Sequence, residues 1–317
     1  MKTRAIAHTE LKTSSLAYGC WRLAGTRDSS KVTSAGLLHG EKAILAAYDA
    51  GYTLFDHADI YCSGIAETIF GQVVKKNPSL RDKVVVATKC GIRFPGIPKP
   101  DSPQRYDFSA EHIIQSCEES LARLNTDVID LYQLHRPDYL MNPEEIAEAF
   151  TKLHQEGKVR FFGVSNFSAS QVELLKSASS AIHFTSVHQI EVSLLNRYAM
   201  ETGLLDQCLI HRMTPLAWSP LAAGVIGDDY SPTEADCKKH PTLKETQEAL
   251  DKIACEHQTT RSVIALAWLL KHPSGIIPIV GSIKPERIRQ LAHADKVELS
   301  REEWYTLLLA ARGEPLP

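Results

Sequence analysis

The stretch EKAILAAYDAGYTLFDHADIY, residues 41–61, decides the fold. Its first part, EKAILAAYDAG (41–51), has helical spacing and good helix formers, and Gly51 falls where a helix C-cap belongs. The run TLFDHAD (53–59) follows and reads as a strand that begins apolar and ends charged. A doubly wound sheet would instead carry a Gly-rich turn such as GxGxxG after an early strand. None is present, and the segment ahead of GYTL is a helix rather than an apolar strand opening onto a glycine loop. Charged groups are costly to bury without partners, so Asp56, His57, Asp59 and Tyr61 each need a reason to be there.

Outward from this stretch the same alternation continues. Strand-like runs are SLAYGCW (15–21), TLFDHAD, KVVVATKCG (83–91) and DLYQLHR (130–136). Four more follow: VRFFGVSN (159–166), SVHQIEV (186–192), MTPLAWSPL (213–221) and GIIPIVGS (275–282). Helical patterns lie between them, among them AETIFGQVVKK (66–76), SAEHIIQSCEESLARL (109–124) and NPEEIAEAFTKLHQEGK (142–158). Ser109, Asn142 with Pro143, and Ser168 stand at N-cap positions, and Gly157 at a C-cap. Eight strands alternating with helices, with no linker, predict an α/β fold: one (β/α)8 TIM barrel domain over residues 1–317.

Such a barrel needs about 250 residues, and the surplus has places to go. Two turn-rich segments, 92–108 and 222–244, follow strand C-terminal ends and predict long loops at the face where barrels keep their active sites. A small hairpin in the first twenty or so residues is expected to cap the opposite end.

The formal net charge is -3 and no long run of one sign occurs, so neither nucleic acid nor an anionic membrane is an expected partner. No apolar run reaches the roughly 18–20 residues of a membrane span, and the N-terminus lacks the apolar core of a signal peptide. Seven scattered cysteines without a CxxC pair suit reduced thiols in the cytoplasm rather than disulfides or zinc. No self-complementary apolar face stands out, and a monomer is expected.

A barrel demands that its reacting groups come from C-terminal strand ends on different strands. The second strand ends at Asp56 with Tyr61 just beyond, the third at Lys89 and the fourth at His135. Each alone has an ordinary explanation: a turn cap, a packed ring, a snorkelling lysine, a satisfied histidine. Together they bring a carboxylate, a phenol, an ammonium and an imidazole to one pocket. A free tyrosine titrates near 10; a neighbouring ammonium lowers that value, and a carboxylate holds the ammonium in place. Asp56 is therefore expected to fix Lys89, Lys89 to lower the Tyr61 pKa, and His135 to orient a substrate oxygen or share the proton. This suits proton donation to a carbonyl. The nucleophile is left open, since no GxSxG elbow or Cys–His pair occurs; hydride from a reduced nicotinamide would fill the gap.

The motifs GYTLFDHADIYCSGIAE, VVVATKCGI, IDLYQLHRPD, GKVRFFGVSNFS, HQIEVSLL, PLAWSPLAAG and VGSIKPERI, in this order and spacing, resemble the aldo-keto reductase superfamily over about residues 14–295. The likeness is nearest to its bacterial-type branch of general oxidoreductases. It implies a tetrad of Asp56, Tyr61, Lys89 and His135, with Tyr61 the general acid in reduction, and NADPH-dependent reduction of a small aldehyde or ketone to an alcohol. It also implies that Ser165, Asn166 and Gln189 meet the nicotinamide amide, that Trp218 stacks on its ring, and that Ser219 and Leu221 line the pyrophosphate path. Trp21 and Arg22, just after the first strand, are assigned to substrate or cofactor by position alone.

The segment GSIKPERI bears on cofactor choice. Ser282, Lys284 and Arg287 stand at a strand-to-helix junction, and two cations with a hydroxyl suit the 2′-phosphate of NADP(H). The resemblance adds Gln290 for the adenine. Two positions depart from the family: His57 replaces a small hydroxyl residue, and Gly281 a phosphate-binding lysine whose task falls to Lys284. With Asp56 facing the pocket, His57 should point away on the pleat and be structural, and Asp59 should serve the turn. A metal-dependent hydrolase drawing on His57, Asp59 and His135 conflicts with that pleat and lacks HxH or HExxH, so no metal ligand is expected. An NADP(H)-binding regulatory or channel-associated barrel subunit with little turnover is the alternative.

Overall fold

The computed structural model describes residues 1–178 and 186–316. Eight parallel strands close into a barrel: β1 (Ala17–Gly19), β2 (Leu54–Asp56), β3 (Val85–Cys90), β4 (Ile129–Leu134), β5 (Val159–Ser165), β6 (Val187–Glu191), β7 (Thr214–Trp218) and β8 (Ile277–Val280). Each pairs with the next in sequence, and β8 closes on β1 through Ile279 opposite Ala17. Seven fall inside strand-like runs read from the sequence and β4 begins one residue ahead of its run, so the expected (β/α)8 barrel is the observed one.

Helices α1 (Ser34–Asp49), α2 (Ile65–Lys76), α3 (Ala110–Leu124), α4 (Pro143–Gln155) and α5 (Ala169–Ser177) follow β1 to β5 in turn. After β6 come α6 (Tyr198–Glu201) and α7 (Leu204–Ile210), and after β7 come α8 (Glu234–Lys239), α9 (Leu243–Glu256) and α10 (Arg261–Leu270). The chain ends with α11 (Pro285–Leu291) and α12 (Arg301–Arg312). Local chemistry starts and stops these helices. Ser109 caps α3 by accepting from the His112 N–H, Asn142 caps α4 with Pro143 in its first turn, and Ser168 forms a capping box with Gln171 on α5. Gly51 and Gly157, at φ 91° and 71°, turn the chain out of α1 and α4 in the left-handed conformation that glycine tolerates. No helix among the described residues is long and apolar enough to cross a membrane.

Two apolar zones hold the barrel. Outward side chains such as Phe55, Val86, Tyr132 and Phe162 pack under the helices, while Ala17, Leu54, Val85, Leu131, Val187, Leu216 and Ile277 fill the interior. The N-terminal hairpin, Thr3–Ala5 against Lys12–Ser14, plugs the lower end. Its Ile6 and Leu11 join the interior cluster, and the Ala7 N–H donates to Thr214 Oγ1 at 2.8 Å, at the first residue of β7. Each such buried side chain contributes roughly 1.5–3 kcal/mol. The long segment after β3 contains a second hairpin, Ile92–Arg93 against Arg105–Tyr106, and that after β7 contains α8. All seven cysteines are free thiols.

At the lower end, a cleft of about 520 Å³ lies between the N-terminal hairpin and the starts of β3, β4 and β5. Its floor is Asp130, 2% exposed, which accepts from Arg81 Nη2 at 2.9 Å, Arg160 Nη1 at 3.0 Å and the Val86 N–H at 2.8 Å. Removing one member of a buried ion pair costs about 3–5 kcal/mol, because the partners stay buried without it. Arg160 is half-exposed, so the low end of that range applies. Asp130→Ala should lower the unfolding free energy by about 3 kcal/mol in urea titration.

Candidate active site

Strand register sets the site. Gly19, Asp56 and Ala87 lie level on β1, β2 and β3, and Lys89 lies level with Gln133 on β3 and β4. Since alternate residues of a strand face the same way, Asp56 and Lys89 both point inward above the apolar filling. His135 follows the last residue of β4, anchored by its N–H to the Cys90 carbonyl at 2.9 Å. The structure thus gathers the four residues expected from strand ends.

Lys89 is the centre. It is 0% exposed, and its Nζ donates to both Asp56 oxygens at 2.8 and 2.9 Å, to the His57 carbonyl at 2.6 Å and to Tyr61 Oη at 3.3 Å. Burial pushes the Lys89 pKa down, but the charges of Asp56 and Tyr61 outweigh it and leave the value raised, so the ammonium persists. The Tyr61 ring meets His135 edge-on at 6.0 Å. His135 is held neutral, its pKa pushed well below the ordinary value by burial and by the Lys89 and Arg136 charges.

The expectation that Lys89 brings the Tyr61 pKa down is corrected. Burial pushes it up to about 12, with Asp56 adding to the rise, and Lys89 offsets only part of this. Tyr61 therefore stays protonated through the neutral range, the state a proton donor needs.

The surrounding residues are bound to one another. Gln189 Nε2 donates to Asp56 Oδ1 at 2.8 Å, so its amide N–H2, expected at the nicotinamide, is engaged below it. Asn166, at φ 63°, donates from Nδ2 to the His135 carbonyl at 3.1 Å and to Ser165 Oγ at 2.8 Å. Its Oδ1 accepts from Trp218 Nε1 at 2.9 Å. These bonds fix the Trp218 ring at the end of β7. The Arg136 guanidinium lies over that ring at 5.5 Å. Trp21 is 39% exposed just past β1, with the Arg27 guanidinium 4.3 Å from its ring.

Of the phosphate candidates, Ser282 is tied by its carbonyl to the Tyr18 hydroxyl at 2.9 Å, and its Oγ accepts from the Lys284 N–H at 3.2 Å. Lys284 is exposed, and a Cβ added at Gly281 would meet open space. Arg287 pairs with Asp229 of the long segment after β7 at 2.6 Å, a pairing outside the reach of sequence spacing. Gln290 lies half-buried on α11, and Ser219 and Leu221 open the segment after β7. A cationic, open strand-end junction beside a fixed aromatic face fits an anionic dinucleotide. Tyr230, in the long segment after β7, has its hydroxyl engaged with Asp236 Oδ2 at 2.6 Å.

His57 points out of the barrel, as the pleat requires, and packs edge-on against Phe70 of α2 at 4.8 Å. Neither ring nitrogen has a hydrogen-bond partner among the described residues. Sequence reasoning missed its main contribution, the backbone carbonyl that receives Lys89. It also missed Arg136 and Gln189's grip on Asp56; a charged residue beside a strand-end histidine was the available signal for the first.

With this geometry in view, a profile of the Aldo/keto reductase family matches residues 15–308. The chain is 39% identical to a protein named 6-dehydroglucose reductase from Novosphingobium aromaticivorans, covering 99% of this chain and 97% of that one. It is 38% identical to Oxidoreductase YdhF from Escherichia coli, covering 85% and 86%. The solved glycerol dehydrogenase AKR11B4 from Gluconobacter oxydans superposes with a TM-score of 0.84 at 25% identity, over 99% of this chain and 97% of that one. The protein belongs to the aldo/keto reductase family, whose members are oxidoreductases acting on carbonyl compounds with nicotinamide cofactors.

Buried neutral histidines make the fold sensitive to acid. Burial pushes the His57 pKa down from 6.5 to about 3, and that of His188 to about 4. Between these values and 6.5 the unfolded chain binds more protons, so stability is full above about pH 6.5 and falls as pH drops. For His57 alone the loss at pH 5 is about 2 kcal/mol. Urea unfolding at pH 7 and pH 5 should show His57→Leu losing less stability than wild type by about that amount; equal losses would refute it.

Proposed function

We propose that the protein reduces a small aldehyde or ketone to the alcohol with NADPH, Tyr61 delivering the proton to the carbonyl oxygen. The observation that carries this reading is the Asp56–Lys89–Tyr61 arrangement, an ammonium clamped by a carboxylate and facing a protonated phenol at 3.3 Å. As Tyr61 gives up its proton, Lys89 offsets the phenolate charge, and Asp56 keeps Lys89 charged. His135, neutral, orients the carbonyl oxygen without adding charge beside Lys89. All four residues belong to one chain, which supports a complete site in a monomer.

NADP(H) supplies the hydride when bound. Trp218 and Trp21 would contact its ring end, with Ser165, Asn166 and the Gln189 carbonyl oxygen at the carboxamide. Ser219, Leu221 and Gly281 would line the diphosphate path, Ser282, Lys284 and Arg287 would hold the 2′-phosphate, and Gln290 would lie at the adenine. The pairing of Arg287 with Asp229 means that a phosphate must compete with that carboxylate.

A hydroxylated substrate is favoured by Arg136. It is half-buried beside His135, and no ion pair or hydrogen bond engages its guanidinium among the described residues. Its donors are free for oxygens next to the reacting carbonyl. The relative named 6-dehydroglucose reductase supports a sugar aldehyde of that kind.

Titration of nicotinamide fluorescence with NADPH and NADH is the first test. Lys284→Ala/Arg287→Ala should weaken NADPH at least tenfold and NADH little, since a charge-assisted hydrogen bond is worth about 1.5–3 kcal/mol. Tyr61→Phe should lower kcat on 6-dehydroglucose at least about 100-fold with NADPH affinity unchanged. Arg136→Ala should cut kcat/KM about tenfold for hydroxylated aldehydes and leave an unsubstituted aldehyde unaffected. Tight NADPH binding without turnover of any carbonyl compound would favour the regulatory-subunit reading, and binding of neither nucleotide would end both.

A further inference from the structure

The segment that carries Tyr61 does not hold its own shape. Cys62 and Ser63 sit in the left-handed region at φ 50° and 54°, followed by Gly64 at 85°. Each non-glycine residue there costs about 1–2 kcal/mol, and such a turn persists only where its surroundings impose it.

Those surroundings are a charged cluster outside the barrel wall, between β3, α2 and α3. Glu67 is 0% exposed and accepts from Thr88 Oγ1 at 2.5 Å, Ser120 Oγ at 3.3 Å and Arg123 Nε at 2.7 Å. On its way to Glu67, Arg123 crosses Gly64 so closely that a Cβ there would lie 2.6 Å from Arg123 Cδ. Only glycine admits this clamp. Asp59 faces the same cluster, its N–H bound to the Lys89 carbonyl at 3.1 Å. Its Oδ1 is buried and has no hydrogen-bond partner among the described residues. Arg123 gives Nε to Glu67 and Nη2 to Ser120 Oγ at 3.1 Å, and its Nη1 lies 3.6 Å from Glu119, so its bonds are taken without Asp59.

We propose that Asp59, Glu67 and Arg123 are the positioning residues for Tyr61, with Asp59 holding a proton behind the turn while Arg123 is engaged by Glu67. The proposal rests on Tyr61 being the acid of the reaction. Burial first, and then the Glu67 charge, push the Asp59 carboxyl up from 3.8 to about 8, against the pull of Arg123, the Ile60 N–H and Lys89. The other groups facing Asp59 are Cys90 of β3 and Tyr132 of β4, both kept neutral by burial. Lys89 is already balanced by Asp56. When Asp59 releases its proton to solvent above about pH 8, an unmatched negative charge appears behind the turn, and Tyr61 is displaced from Lys89. The protonated form's contribution to stability is full below pH 3.8 and is lost as pH rises through about 8. Asp59→Asn, neutral at every pH, therefore folds at least as well as wild type at pH 7.

The experiment follows kcat with NADPH from pH 6.5 to 9.5, together with the NMR signal of tyrosines labelled at ring carbon ζ, that of Tyr61 assigned by Tyr61→Phe. In wild type kcat should fall at least fivefold, and the Tyr61 signal should shift, with a common midpoint near pH 8, while NADPH affinity stays constant. Asp59→Asn should keep kcat within twofold of wild type at pH 7 and lose both transitions. Arg123→Met should lower kcat about tenfold without changing NADPH affinity, and Arg123→Lys should restore most of it. A Tyr61 signal that is flat through pH 8 in wild type, or that shifts alike in Asp59→Asn, would overturn the proposal. If the protein turns over no carbonyl compound, the reductase reading falls alone, because the NMR signal still decides whether Asp59 positions Tyr61.

Discussion

A lysine ammonium without any exposure to water is the constraint on which the upper half of this barrel depends. An isolated buried charge is so unfavourable that the group would sooner lose its proton. Lys89 keeps it because its three hydrogens have matched acceptors: the Asp56 carboxylate, the His57 carbonyl and the Tyr61 hydroxyl. Meeting that demand fixes the end of β2, bends the chain after Asp56 so that a carbonyl turns inward, and draws Gln189 from across the barrel onto Asp56. The site is thus built from the ammonium outward. The longest of its contacts is the 3.3 Å to Tyr61.

Two buried aspartates show how the same barrel separates stability from chemistry. Asp130, at the lower end, is saturated by two arginines and a backbone N–H, and nothing reactive lies beside it. Asp56, at the upper end, meets a single lysine whose remaining hydrogen faces a titratable hydroxyl. Lysine suits the second place because its ammonium is a compact charge with rotatable donors, whereas the planar fork of arginine commits its hydrogens to a fixed plane. A barrel can carry both because interior residues at the two ends are separated by a packed apolar layer, here Leu54, Ala87, Leu131 and Leu216.

The strands and the gathering of Asp56, Tyr61, Lys89 and His135 were legible because both obey short-range rules. Period and turn chemistry gave all eight barrel strands, and position at a strand end then singled out Asp56, Lys89 and His135 without any distance being known. What escaped was set by contacts remote in sequence. Gln189 meets Asp56 across the barrel, Arg287 meets Asp229 across a loop, and Arg123 reaches back to Glu67 from the end of α3. The direction of the Tyr61 shift escaped for a different reason. A neighbouring cation can be guessed from a sequence, but the extent of burial that opposes it depends on how closely the walls pack.

The opening motif shows both limits at once. Alternation along a strand correctly turned His57 outward, yet its backbone, which alternation does not describe, supplies an acceptor for Lys89. Asp59 was assigned to the turn from its position alone, and it is indeed in the turn. Its buried oxygen faces a second carboxylate that lies eight residues on, in the first turn of α2. A charged residue on the buried face of that helix, Glu67 within IAETIF, was the visible sign. Such a residue needs a partner, and here the partner is a guanidinium laid across Gly64, three residues after Tyr61, so that the satisfaction of a buried charge and the shape of the turn are one and the same contact.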